Sequence, residues 1–208
     1  MKRRFPKAMM KNMQRFAHVS PQNKMINTGD KFGNSGLKSQ QGSTRVIYDS
    51  LVVDGGTNYT FFENANARTF PLTNLTEGKL GVGETMVIER AYFAFITVDD
   101  ATGNIVQFEA LDGEINSTTG EFKIEQANQI VMKPVPVMSM LSQFNKDAEF
   151  DTDVSFSFDT QLTLQPLLEF KVNVRFGSAV PAAAVGETKY MRCTLEGAGA
   201  IISTGKTF

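Results

Sequence analysis

From residue 45 onward, apolar and polar positions alternate with a period of two in short runs broken by turn residues, which is the pattern of half-buried strands. The cleanest run sets Leu168, Phe170, Val172, Val174 and Phe176 against Glu169, Lys171, Asn173 and Arg175. Its two faces are fully sorted, so one side meets a core and the other meets water. Further strands are predicted over 45–53, 59–62, 84–98, 104–111, 188–195 and 198–203, with Val154, Phe156 and Phe158 starting another. The long 84–98 run predicts a bent or paired strand. Residues 129–138 contain Pro134 and Pro136, which have no N–H to give a ladder, so this segment is an edge strand or a loop crossing a sheet end. Asp54-Gly55-Gly56, residues 99–103, Asp112-Gly113 and Thr118-Thr119-Gly120 signal turns. Residues 72–83 and 179–186 read as loops, and 138–144 as one short helical turn. Eight or nine strands with almost no helix argue against a parallel α/β fold. The expectation is an all-β, antiparallel β-sandwich, with a single jelly roll as its topology.

The first 44 residues have a different pattern. Phe5, Met9, Met13 and Phe16 recur at spacings of four, four and three, one face of a helix, while Lys7, Lys11 and Arg15 lie on another side. Pro6 is tolerable in a first turn. Such a basic amphipathic helix has about the minimum length for helix in water, so it orders only against a partner. Residues 20–44 are dominated by Ser, Asn, Gln, Gly, Thr and Pro, a linker composition. Fully stretched, that linker reaches about 80–90 Å. The chain therefore divides into an extended basic arm and linker, 1–44, and a β-sandwich domain, 45–208.

Charge sharpens that division. Residues 1–45 hold ten Lys and Arg, among them Lys2, Arg3, Arg4, Lys7, Lys11 and Arg15, against one acid, Asp30. The whole chain is formally -1, so 46–208 carry about -10, from eleven basic and twenty-one acidic residues. A cationic arm on an anionic body points to an anionic or interfacial partner for the arm. With 41% hydrophobic residues and seventeen Phe in the whole chain, the body can build a core without metal or disulfide. No apolar run approaches a membrane span, and the basic N-terminus lacks the apolar middle of a secretory signal. An acid-free, amphipathic start also matches a mitochondrial transit peptide, but residues 1–19 lack the Ser enrichment of such peptides.

Candidate chemistry is sparse. His18 stands alone in the arm and Cys193 alone in a strand, so a Ser–His or Cys–His pair and His/Cys metal sites have no partners to form them. A free cysteine beside Met191 and Leu195 reads as a small buried hydrophobe. The Gly78-Lys79-Leu80-Gly81-Val82-Gly83 loop lacks the Walker pattern and opens no helix, so it reads as an inter-strand turn. Asp147, Glu149, Asp151 and Asp153 alternate and offer oxygen ligands, yet lack the Gly and final Glu of an EF-hand. A solvated strand edge accounts for them. No pair of acids is singled out for glycoside hydrolysis, and the absence of Trp weakens sugar stacking. No catalytic residue, metal or cofactor is expected.

An acid-free basic arm, a Gly/Ser/Asn/Gln linker and a β-only body resemble the single jelly-roll capsid proteins of icosahedral viruses and phages. Asn58-Tyr59-Thr60-Phe61-Phe62-Glu63, then Thr69-Phe70-Pro71-Leu72-Thr73-Asn74-Leu75 and residues 84–98, are similar to minor or vertex capsid proteins of tailless, including lipid-containing, bacteriophages. The body is too short for a double jelly roll. The resemblance implies a structural virion protein, a penton or small coat protein assembled in the host cytoplasm. Its partners would be copies of itself (a pentamer) and other capsid proteins. The arm would reach the shell interior, Phe5, Met9, Met13 and Phe16 serving as apolar anchors and its cations meeting a neighbouring subunit, membrane lipid or genome. Two other classes compete. A head or tail decoration module for glycan or receptor predicts an exposed aromatic cleft, with Tyr48, Tyr59, Tyr92 or Tyr190 as candidates. A carboxylate hydrolase predicts two acids converging in one groove.

Overall fold

The structure is a computed structural model that describes residues 40–63, 68–75, 77–110, 119–140 and 155–202. The arm with its ten candidate contacts, His18, the Asp112-Gly113 turn and the Asp147–Asp153 acids all lie outside the described residues.

Among the described residues nine strands follow in order: β1 Gln40–Val52, β2 Asn58–Phe61, β3 Glu84–Asp99, β4 Ile105–Ala110, β5 Glu121–Gln126, β6 Gln129–Pro136, β7 Phe156–Leu164, β8 Phe170–Arg175 and β9 Glu187–Ile202. They form two antiparallel sheets packed face to face, a β-sandwich. One sheet runs β1-β9-β3, and the far edge of β3 is shared by β7 along Met86–Ala91 and by β4 along Ala94–Val98. The other runs β2-β8-β5-β6. Apart from β4, the pairing is nested: β1 with β9, β2 with β8, β3 with β7, β5 with β6. A long antiparallel hairpin rolled into two sheets makes this pattern, the jelly-roll arrangement.

The core is aromatic. Phe61, Phe93, Phe122 and Phe156 come alternately from the two sheets and touch in sequence, with ring centroids 5.8, 5.6 and 5.4 Å apart. The first pair is tilted and the other two meet edge to face, and aromatic pairs of this kind add about 0.5–1.5 kcal/mol each beyond area burial. This chain of rings stitches the sheets together.

Four local expectations are corrected. Residues 188–195 and 198–203 form one continuous strand, β9, because Gly197 lets it pass a bulge in β3. There Ile88 faces Gly197 and Arg90 faces Glu196, leaving Glu89 as the extra residue. A Cβ on Gly197 would lie 1.9 Å from the Val87 carbonyl oxygen, so only glycine fits. Second, β1 begins at Gln40, since its first residues pair with the end of β9 despite their linker-like composition. Third, the short segment beyond the Thr118-Thr119-Gly120 turn signal is a strand, β5, with Phe122 and Ile124 buried. Fourth, Leu168 is 36% exposed, because the turn through Leu167 (φ 61) delays the inward alternation of β8 to Phe170. The proline-bearing segment is an edge strand as expected, followed by one 3-10 turn at Val137–Met140.

Candidate functional site

A sandwich meets partners through its free edges and outward faces, and this one treats its edges unequally. The free edge of β1 is covered by residues 73 and 74. Asn74 Oδ1 accepts from Tyr48 N at 2.8 Å, Asn74 Nδ2 donates to Val46 O at 2.8 Å, and Thr73 Oγ1 donates to Tyr48 O at 3.0 Å. The β6 edge carries Lys133, Pro134 and Pro136, residues that blunt edge pairing. Only four residues long, β2 offers little edge. By contrast, β4 has neither Lys nor Pro, and its Ile105, Val106 and Phe108 are 65%, 56% and 67% exposed.

That edge continues an apolar stripe on the outward face of the same sheet. Cross-strand pairing sets Val52 beside Tyr190, Tyr190 beside Ile96 and Ile96 beside Phe108, one row across four strands. The neighbouring row pairs Val98 with Ile105. Acids gather where these strands turn: Asp99 lies opposite Glu187, and Asp100 accepts a hydrogen bond from Thr188 Oγ1 at 2.6 Å. The Asp99 carboxylate accepts from the amides of Ala101 and Thr102 and from the Thr102 hydroxyl, and bonds from Thr102 above all hold it below its ordinary value. Further along the face, the Arg192 guanidinium sits 4.5 Å over the Tyr48 ring and donates to Ser50 Oγ at 2.9 Å.

The second sheet presents a polar face outward. A groove of about 410 Å³ is lined there by Asn58, Thr60, Glu121, Lys123, Asn173 and Arg175, among others. Thr60 Oγ1 donates to Asn173 Oδ1 at 3.0 Å, and Lys123 pairs with Glu125 at 2.6 Å. Glu121 and Glu125 both line it, but four residues apart on one strand they stand about 13 Å apart. That separation exceeds the roughly 5–9.5 Å used by paired glycosidase carboxylates. The groove has no exposed aromatic floor: Tyr59 is 5% exposed, packs edge-on to Phe176 and donates its hydroxyl to Gly56 O at 3.2 Å.

A smaller cleft of about 320 Å³ opens between β6 and β7, lined by Gln126, Val131 and residues 160–163 and 165. Gln126 Nε2 and Thr163 Oγ1 are buried there without a protein partner. Opposite it, in the core, Asp49 is 1% exposed and held by Phe62 N at 2.6 Å, Arg68 Nε at 2.8 Å and Arg68 Nη2. This clasp joins β1 to the end of β2 and to the segment after it. Cys193 faces Asp49 across the ladder, fully buried. Burial pushes its thiol well above 9.0, with Asp49 adding to the rise.

Of the aromatic candidates, Tyr48, Tyr92 and Tyr190 come together on the outward face of the first sheet, Tyr48 and Tyr92 flanking Thr194. Tyr59 does not join them. Val52, Ile105, Val106 and Phe108 lie in strands that the alternation predicts, but their exposure is not marked by it. The signal was the adjacent Ile105-Val106 pair beside a turn, which puts apolar groups on both faces of a short strand. Among the described residues, no group of three or more His, Cys, Asp or Glu is placed to hold a metal. No family model matches the chain, and no curated protein is a recognisable relative.

Proposed function

We propose that this chain is a structural shell protein, a penton or small coat protein of an icosahedral, tailless bacteriophage, acting as a homo-oligomer. The observation that carries the reading is a nested jelly-roll body of acidic composition joined to an N-terminal arm with almost no acids. Jelly rolls with short ends and broad flat sides tile well, and viral shells are one of their recurrent uses. An arm of opposite charge supplies a tether that neighbouring bodies, lipid or packaged genome would attract.

Light scattering on the full chain at low and high salt tests this. A discrete oligomer is expected. If Lys7, Lys11 and Arg15 changed to Gln leave its mass unaltered, assembly stands and the arm belongs to lipid or genome. A monomer in every condition overturns the reading. The polar groove on the second sheet favours a second one, a decoration module for glycan or receptor, because Asn58, Thr60 and Asn173 line a cleft of ligand size. A monomer that binds glycans saturably would establish it.

A further inference from the structure

We infer that the apolar stripe on the outward face of the first sheet, with the β4 edge, is the docking site for residues 2–16 of the arm of another copy of this chain. The inference rests on the shell reading only for the neighbour that supplies the arm. Its physical basis is complementarity of two kinds. The surface offers Val52, Ile105 and Phe108 at 53–67% exposure: Val52 and Phe108 stand at the two ends of the row through half-buried Tyr190 and buried Ile96, Ile105 pairs with Val98 in the next row, and Val106, 56% exposed, is the unpaired residue beside them. Exposed apolar groups grouped in this way mark interaction sites, whereas scattered ones need no explanation. The arm offers Phe5, Met9, Met13 and Phe16 on one helical face.

Charge matches too. Acids stand at the turn that closes one end of the stripe, Asp99, Asp100 and Glu187, while the arm carries Lys2, Arg3, Arg4, Lys7, Lys11 and Arg15 and no acid. The nearest cation on that face, Arg192, is engaged with Tyr48 and Ser50. Dimensions agree. Residues 5–16 as a helix span about 18 Å, and the row from Val52 to Phe108 crosses three strand spacings, about 14 Å. Reach allows it as well, since residues 17–39 extend to about 75–80 Å. Of the other edge strands, β1 is covered at residues 46–48, β6 carries Lys133 and prolines, β2 is very short, and β7 exposes Ser157, Thr160 and Gln161 rather than large apolar groups, so β4 is where a basic amphipathic segment finds apolar contact beside acids.

The test uses the full-length chain with Phe5, Met9, Met13 and Phe16 changed to Ser, so its own arm does not compete. A fluorescent peptide of residues 1–25 is titrated by anisotropy at low and high salt. Saturable binding that weakens with salt is expected, reduced at least about tenfold by Phe108→Lys. Ile130→Lys, which alters another exposed apolar residue, on the β6 edge, should leave binding unchanged. Absent binding, equal binding to the Phe108→Lys protein, or equal loss with Ile130→Lys overturns the site. So does a peptide that binds anionic vesicles but not the protein. Because the peptide is added separately, these outcomes do not depend on oligomer formation; an unaltered chain that stays monomeric while the variant binds the peptide would sink the shell reading alone.

Discussion

Gly197 has no room for a side chain: an added methyl would meet the Val87 carbonyl within bonding range. Gly197→Ala should therefore destabilise the body by about 3 kcal/mol or prevent folding, read as a lower denaturant midpoint. Asp49 presents the opposite problem, a charge that must keep its partners. Asp49→Asn leaves the Arg68 guanidinium, with 15% of its side chain exposed, without its counter-charge, and a loss of about 3–5 kcal/mol is expected in equilibrium unfolding. Cys193 should stay silent to a thiol reagent at pH 8 until denaturant is added, because burial raises its pKa and blocks access together. The burial of Cys193 was legible from its apolar neighbours. The Asp49 clasp was not, because Asp49 and Arg68 are brought together only when β1 and the chain beyond β2 cross.

At the scale of elements, the ties between strands carry a pH signature. Arg45 on β1 donates to Glu84 on β3 at 2.7 Å, and that hydrogen bond holds the Glu84 carboxyl below 4.5 against partial desolvation. A carboxyl lowered by folding contributes stability above its unfolded value and loses it as pH falls through the lowered one. Arg45→Ala should thus cost about 1 kcal/mol at neutral pH, a difference that shrinks as unfolding is measured below pH 4.5. The strands themselves were legible wherever one face is core and the other water, as in β8, or wherever proline marks an edge, as in β6. The fusion of the last two segments into β9 was hidden, since Gly197 and Gly199 read locally as punctuation. So was the β4 surface, because exposure depends on which strands leave an edge uncovered, and no local pattern carries that.

For the whole molecule, the two-sheet architecture followed from alternation and turns, while the nested order of strands did not, because pairing partners lie far apart in the chain. That order has a consequence for synthesis. Gln40 pairs opposite Ile202, so the first strand of the body waits for the last. At roughly 5–20 residues per second, translation separates them by about 8–30 s. Throughout that interval β1 has no partner strand, and the first sheet cannot close before the final residues emerge. Pairing so distant in sequence also slows the search, and stopped-flow refolding should fall in the millisecond-to-second range of all-β domains. Residues 1–39, with nine Lys and Arg, are therefore synthesised well before the body that follows them can close.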